Sequence, residues 1–411
     1  MKRALVLSGG GARGAYQMGV YKALQKMKIN IDIITGTSIG ALNGCMFVQG
    51  DYKKALKMWE SLSFSSVLEN AEKIYLDTIQ GKKELFSQYI AALVKSGGFD
   101  IKKIEETVES AFDHYKFYSS DIDFGLVTVR ANDLKPILLT KDELKPDVVM
   151  DYLVASAAIF PAFSKKKIEN QDFIDGGYYD NLPIELAVKM GATEVVAVDL
   201  ETIGKKRNVD SELVDIKIIR PTTKLGNFLN FDGKLTKKYI DIGFNDCMKA
   251  YGKFEGNKYT FKKRHLYYNK LAYEQNFKKN IDLFASFKTR VGNAIKEKVY
   301  LKYIEGDYDE YIPKVLDFLG DVFDLDESKV YGVFKFNNEI RTKFTKIYAI
   351  DYNKVSNIFD TKKLESLTDK KMIIKYIYNQ LESRNNEKLN VAAAVFPLEY
   401  VASVYLYTIY N

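Results

Sequence analysis

Ser38 is the residue of this sequence whose surroundings best suit nucleophilic chemistry. It lies at the centre of a Gly-Thr-Ser-Ile-Gly segment that begins at Gly36 and matches the G-x-S-x-G pattern. Glycines on both sides of a serine allow a sharp turn from a strand into a helix, and here a β-branched run precedes the segment and an apolar helical run follows it. The amino end of such a helix favours a developing negative charge. The pattern therefore predicts that Ser38 attacks a carbonyl carbon.

A serine nucleophile needs a proton acceptor, and histidine is scarce in this sequence. The two histidines are His114, at the end of a charged helical segment, and His265, within a basic run. Surface positions are expected for both. A carboxylate in a partly dry site is the plausible substitute, because burial raises the proton affinity of a carboxyl group.

Two aspartates are candidates for this base. Asp175 ends a short strand-like segment and is followed by Gly176 and Gly177, which let the chain turn tightly. Asp199 follows the strand-like residues 195–198, and acids at strand ends can also line a site. For Asp199 we favour a structural role, bonded to backbone amides. Asp-Gly-Gly is by itself common in turns, so from the local pattern alone the role of Asp175 stays open.

A glycine-rich segment near the amino terminus is the candidate oxyanion site. Its residues are Gly9, Gly10, Gly11, Ala12, Arg13 and Gly14. Gly9, Gly11 and Gly14 also fit G-x-G-x-x-G, but the G-x-x-x-x-G-K-[ST] nucleotide motif is absent. As an oxyanion site, the segment would supply the amide of Gly10, Gly11 or Ala12, with positive charge from Arg13. One such donor typically contributes about 3 to 4 kcal/mol to transition-state stabilisation.

The elements around these residues predict an α/β fold. A strand, a glycine turn and a helix occur twice in the first fifty residues, with strands at 3–7 and 31–35. Later strand-like runs alternate with helical ones up to about residue 250. This alternation indicates a parallel sheet covered on both faces, with ligands at the carboxyl ends of its strands. Residues 51–115 look helical and resemble a cap-like insertion.

Taken together, three motifs resemble the patatin-like phospholipase family in type, order and approximate spacing. They are the glycine segment that begins at Gly9, the Ser38 turn and the Asp-Gly-Gly sequence at Asp175. Residues 155–163 and 179–184 also resemble the family, although Phe160 stands where the family usually has proline. The resemblance covers roughly residues 1–250. It implies a three-layer α/β/α fold with a mainly parallel sheet, and a Ser38–Asp175 dyad with residues 9–14 as oxyanion site.

The same resemblance implies hydrolysis of acyl esters of glycerophospholipids or related lipids through an acyl-Ser38 intermediate, without metal or other cofactor. We therefore expect an acyl hydrolase domain at 1–250 and a mostly helical region of unknown role at 251–411. Two alternatives stay open. The dyad could cleave a thioester or a soluble ester, or the fold could be a lipid-binding or regulatory module without turnover.

Composition limits the remaining possibilities. The 411 residues carry a net charge of +7 without a long basic run, so nucleic-acid binding is not expected. Cys45 and Cys247 are the only cysteines, which excludes a disulfide framework and suits a reducing compartment. We expect a cytoplasmic protein with transient peripheral contact to membranes, and homo-oligomerisation stays open. The apolar segment 389–410 predicts a packed or interfacial helix, and aromatic residues in the second half favour core packing over lipid contact.

Overall fold

A computed structural model of the chain describes residues 2–62, 99–209, 214–284, 306–347 and 369–411. The chain divides into two compact units, Met1–Ala250 and Tyr251–Asn411.

The first unit is built on one mixed sheet. Its strands are β1 Arg3–Leu7, β2 Ile33–Thr37, β3 Asp123–Arg130, β4 Pro136–Thr140, β5 Lys166–Ile168, β6 Gln171–Asp175, β7 Glu194–Val198 and β8 Asp215–Ile219. They lie in the order β5-β6-β3-β2-β1-β7-β8, with β4 also paired to β3. In this sheet order, the neighbouring pairs β3–β2, β2–β1, β1–β7 and β7–β8 are parallel. Strands β4 and β6 run antiparallel to β3. The predicted α/β fold with a mainly parallel sheet is therefore confirmed.

Helices cover both faces of this sheet. They are α1 Ala15–Lys26, α2 Ile39–Val48, α3 Tyr52–Ser61, α4 Lys102–Ala111, α5 His114–Ser119, α6 Val149–Ser156, α7 Ile184–Lys189 and α8 Gly233–Ala250. Ala4 and Val6 of β1 pack in one apolar cluster with α7. Leu7 and Ile34 instead approach Gly44 of α2. Because successive strand residues point to opposite faces, α7 and α2 lie on opposite sides of the sheet and make three layers.

The arrangement of strands around β3 brings two distant segments together. β4 pairs with β3 along most of its length, whereas β2 pairs with its first five residues and β6 with its last three. Because a strand has only two edges, β2 and β6 share one edge of β3, one after the other. Thr37 lies opposite Val127, and Asp175 lies opposite Thr128. The carboxyl ends of β2 and β6 therefore meet.

Two elements of the first unit were not predicted from the sequence, β5 and α8. Helix α8 packs closely on α1 because glycines stand at the crossing. A Cβ at Gly19 would lie 1.9 Å from the carbonyl oxygen of Ile240, and one at Gly243 would lie 2.1 Å from that of Tyr16. The helical prediction for residues 51–115 is confirmed at α3, α4 and the start of α5, while residues 63–98 lie outside the described part.

The second unit is mostly helical. Its elements are β9 Phe254–Glu255, β10 Thr260–Lys262, α9 His265–Phe284, α10 Tyr308–Val322, β11 Val330–Tyr331, α11 Val333–Phe344, α12 Lys370–Glu382, α13 Asn386–Val395 and α14 Pro397–Tyr410. Its core contains many aromatic side chains, including Phe277, Tyr308 and Tyr405. Helix α14 packs against α9, α10, α12 and α13. The terminal apolar segment 389–410 is thus packed, but it forms parts of two helices, α13 and α14, because the chain breaks before Pro397. The aromatic residues named here serve as core.

Within the described ranges, we find no helix that combines the length and the apolar character needed to cross a bilayer.

Candidate active site

Ser38 occupies the sharp turn between β2 and α2. Its backbone has φ 58° and ψ −130°, a sparsely populated conformation for a residue with a side chain. The flanking glycines make this turn possible. A Cβ at Gly40 would lie 2.2 Å from the carbonyl oxygen of Leu7, and one at Gly36 would lie 2.4 Å from the backbone of Gly40. The turn presents a buried serine, 3% exposed, at the amino end of α2.

Asp175 lies beside Ser38 because the carboxyl ends of β2 and β6 meet. Its carboxyl group is buried, with Oδ1 accepting a hydrogen bond of 2.7 Å from the Gly177 amide. Oδ2 is buried and has no hydrogen-bond partner of normal geometry among the described residues. Burial raises the pKa of Asp175 to about 7, although the nearby Ser38 hydroxyl and the Gly177 amide favour the charged form. A carboxyl group in this state can exchange a proton near neutral pH.

The glycine-rich loop approaches Ser38 directly. A Cβ at Gly9 would lie 3.0 Å from the Cβ of Ser38. The Ala12 amide donates to the carbonyl of Phe228 at 2.7 Å, so it is engaged within the protein. The amides of Gly10 and Gly11 have no acceptor among the described residues. These two amides are therefore the donors of the loop that stay available for a developing oxyanion.

Arg13 and Gly14 hold the loop in place. The guanidinium of Arg13 donates to the carbonyls of Gly226, Leu200 and Glu201, at 2.9, 3.4 and 3.3 Å. Gly14 sits against the turn that carries Ser38, because a Cβ there would lie 2.5 Å from the side chain of Ile39. The contacts of Arg13 and Gly14 thus position the loop. Arg13 also adds positive charge to the wall of a cavity that Ser38 and Asp175 line as well.

Ser156 supports the site and was not singled out from the sequence. Its hydroxyl accepts a hydrogen bond of 3.0 Å from the amide of Ser38 and donates to the carbonyl of Val127 at 2.7 Å. Two residues further on, the Ala158 carbonyl accepts from the amide of Asp175 at 2.8 Å. One short segment therefore fixes the backbones of both residues. The signal available was that this segment lies within residues 155–163, which resemble the family.

The competing proton acceptors have other partners. Asp199 is buried and bonded to Lys206 and Arg220. Burial alone would raise its pKa, but the hydrogen bonds from Lys206, the Glu201 amide and Arg220 hold the pKa of Asp199 below its usual value. The structural role favoured from the sequence is therefore supported, but the partners differ from the expected backbone amides. One is the Glu201 amide, and the others are the side chains of Lys206 and Arg220. His114 packs against aromatic rings of its own segment, and Nδ1 of His265 accepts from the Val333 amide in the second unit.

A cavity of about 610 Å³ opens in front of Ser38 and Asp175. Its wall combines apolar side chains, such as Ile159 and Phe228, with polar groups of the loop that follows β7. Within the described ranges, no group of three or more histidine, cysteine, aspartate or glutamate side chains is placed to hold a metal ion.

Comparison with known proteins finds similarity over part of the chain. Residues 5–188 match the family model of the patatin-like phospholipases. The chain is 29% identical over 214 residues to patatin-like phospholipase domain-containing protein 7 of Rattus norvegicus. It is 30% identical over 202 residues to protein 6 of the same series in Homo sapiens, and 27% identical over 201 residues to lysophospholipase NTE1 of Scheffersomyces stipitis.

These three matches cover 50%, 48% and 48% of this chain. They cover 14%, 13% and 11% of the relatives. The chain therefore corresponds to a small part of each of these longer proteins.

Proposed function

Residues 5–188 of this chain belong to the patatin-like phospholipase family, and on that premise we propose that the protein is a serine lipid acyl hydrolase acting through Ser38 and Asp175. The observation that carries this proposal is the meeting of the carboxyl ends of β2 and β6, which sets a strained serine beside a buried carboxyl group. Both residues line the same cavity.

The proposed reaction has two steps. In the first, Asp175 accepts the proton of the Ser38 hydroxyl while Oγ bonds to the ester carbonyl carbon, and the amides of Gly10 and Gly11 stabilise the oxyanion. The C–O bond to the alcohol then breaks, and the alcohol leaves with the proton from Asp175. In the second step, water attacks the acyl-Ser38 ester with Asp175 as base, which releases the fatty acid and restores the hydroxyl.

We propose acyl esters of glycerophospholipids as substrates, including the monoacyl lysophospholipids that the name of the NTE1 relative indicates for that protein. Apolar walls beside Ser38 support an acyl chain in the site. Rates on micellar phospholipid, compared with rates on soluble esters and acyl thioesters, distinguish this substrate class from the alternatives.

A fluorophosphonate probe is expected to label Ser38 covalently. The reagent reacts with a serine whose proton is removed and whose oxyanion is stabilised, which is the state that the site supports. Mass spectrometry of the digested protein should find the adduct on the peptide that contains Ser38. Ser403 offers a matched control, since it is a buried serine of the second unit, and Ser403→Ala should leave labelling unchanged. A folded protein in which Ser38 stays unmodified would count against a catalytic role.

Activity is expected to rise with pH around a midpoint near 7. Asp175 must be ionised to accept the proton, and burial raises its pKa to about 7. At pH 6, kcat/KM should therefore fall to about one tenth of its plateau value, which is reached above pH 8. Steady-state rates on a soluble ester between pH 5 and 9 measure this profile.

The control for the pH profile is Asp180→Asn. Burial also raises the pKa of Asp180, to about 6, so that carboxyl group titrates in the same range. If Asp175 controls the rate, the midpoint stays near 7 in this variant. A profile that is flat across the range, or a midpoint that disappears with Asp180, contradicts the assignment.

A further inference from the structure

A second cavity also begins at Ser38. It has a volume of about 90 Å³, and its wall includes Gly11, Ser38 and Ile39 together with aromatic and aliphatic side chains. A third cavity of about 70 Å³ shares five residues of this wall, including Leu42 and Val108. We call the two the proximal and the distal cavity, and their combination the apolar channel. Both are much smaller than the 610 Å³ cavity, which also has Ser38 in its wall.

The residues of the channel occur in a consistent order along its helices. On α4, Ile104 lines the proximal cavity and Ala111 the distal one, with Val108 on both walls. On α2, Ile39 and Leu42 belong to both cavities, whereas later residues of the helix line the distal cavity alone. The channel therefore runs along α2, away from Ser38.

The channel extends for more than two turns of α2. Its wall reaches from Ile39 to Gln49, and ten residues of helix correspond to about 15 Å. Helix α4 contributes residues at i, i+3, i+4 and i+7, which form one face of a helix. Helix α3 contributes residues at i, i+3 and i+4, and Leu62, which follows its last residue, continues the same face. Those faces are mainly apolar. The site thus combines two spaces that both include Ser38 in their walls, a small apolar channel and a larger, partly polar cavity.

We propose that the apolar channel binds the fatty-acyl chain of the substrate and that its distal end sets the longest chain accepted. This inference rests on the proposed function of Ser38. The ester carbonyl lies at Ser38 with its oxygen toward Gly10 and Gly11, the acyl chain extends along α2, and the alcohol with its head group occupies the 610 Å³ cavity. The substrate class is therefore an ester of one extended acyl chain with a bulky polar alcohol, as in a lysophospholipid.

Apolar burial gives this channel its selectivity. Each methylene removed from water in the channel improves kcat/KM by about fourfold, up to the length at which the chain meets the end wall. A side chain that fills the distal cavity should therefore affect long acyl chains and spare short ones. One that fills the boundary between the cavities should also affect chains of intermediate length.

The experiment compares kcat/KM for p-nitrophenyl butyrate, octanoate and palmitate in three variants of the full chain. Ala111→Leu fills the distal cavity and should lower the palmitate value by about tenfold, with butyrate and octanoate changed by less than about twofold. Thr107→Phe, at a half-buried position on both walls, should lower octanoate as well as palmitate. Glu109→Leu places the same leucine on the exposed side of α4 and should change none of the three.

Thermal melting first establishes that each variant is folded. If Ala111→Leu does not fold, the comparison of Thr107→Phe with Glu109→Leu tests the proposal. An equal loss on all three esters, or an unchanged profile in folded variants, overturns the channel while leaving Ser38 catalysis intact. If the parent protein hydrolyses none of the esters and the fluorophosphonate leaves Ser38 unmodified, the proposed function itself fails.

Discussion

Replacing Ser38 with alanine is expected to lower ester hydrolysis by about four to six orders of magnitude, which leaves only the acceleration that substrate binding and the oxyanion site provide. The variant lacks the oxygen that forms the acyl intermediate, so the free amides of the loop can bind the substrate without a covalent step. The fold should persist, because the hydrogen bond from residue 38 to Ser156 uses the backbone amide. Initial rates on a chromogenic ester, together with circular dichroism, measure both properties.

The control for this change is again Ser403→Ala, which removes a buried hydroxyl of α14 that bonds to the carbonyls of Ile374 and Glu399. It is expected to keep hydrolysis within a few-fold of the parent. Substantial activity in a folded Ser38→Ala variant would show that another residue forms the covalent bond, and the proposed mechanism would have to be abandoned.

Asp175→Asn is expected to lower turnover by about three to four orders of magnitude. Asparagine has almost the same shape and keeps an oxygen for the Gly177 amide, but it cannot accept the proton of Ser38. The variant should also unfold at or above the parent's temperature at pH 8. The pKa of Asp175 is raised to about 7, so at pH 8 the parent holds a buried charge that burial disfavours. Rates and melting curves at pH 8 check both expectations.

Asp199→Asn is the matched control for the base. It replaces another buried aspartate at a strand end, but one that is paired with Lys206 and Arg220 and absent from the wall of the 610 Å³ cavity. We expect this variant to lose stability, since the two cations lose their partner, while retaining turnover. A parent-like rate in Asp175→Asn would instead move the role of base to Asp199 or His114.

Local signals in the sequence were enough to predict the first turn of the site. The G-x-S-x-G pattern between a β-branched run and an apolar helix specifies a sharp strand-to-helix turn, because few other residues fit where Gly36 and Gly40 touch neighbouring backbone. Most strands of the sheet were also predictable from local sequence, because buried parallel strands have continuous apolar runs. The short antiparallel strand β5 was the exception.

The partnership of Ser38 with Asp175 could not be derived from local patterns. It depends on β6 running antiparallel along the part of one β3 edge that β2 leaves unpaired, and such pairing is determined by contacts distant in sequence. Only the resemblance to a family joined the two residues. The same limit explains why the role of Ser156 and the close crossing of α1 and α8 were not predicted. A serine or glycine within a helical run does not indicate which distant residue it will contact.

Because β2 and β6 share one edge of β3, the catalytic rate depends strongly on the register of β6. If β6 slipped by two residues, Asp175 would move about 6.7 Å while its side chain kept the same face of the sheet. Such a slipped molecule could retain its helices, most of its sheet and an ordinary circular dichroism spectrum. The enzymatic rate would then reveal molecules with a shifted β6 register in a preparation that looks uniform by circular dichroism.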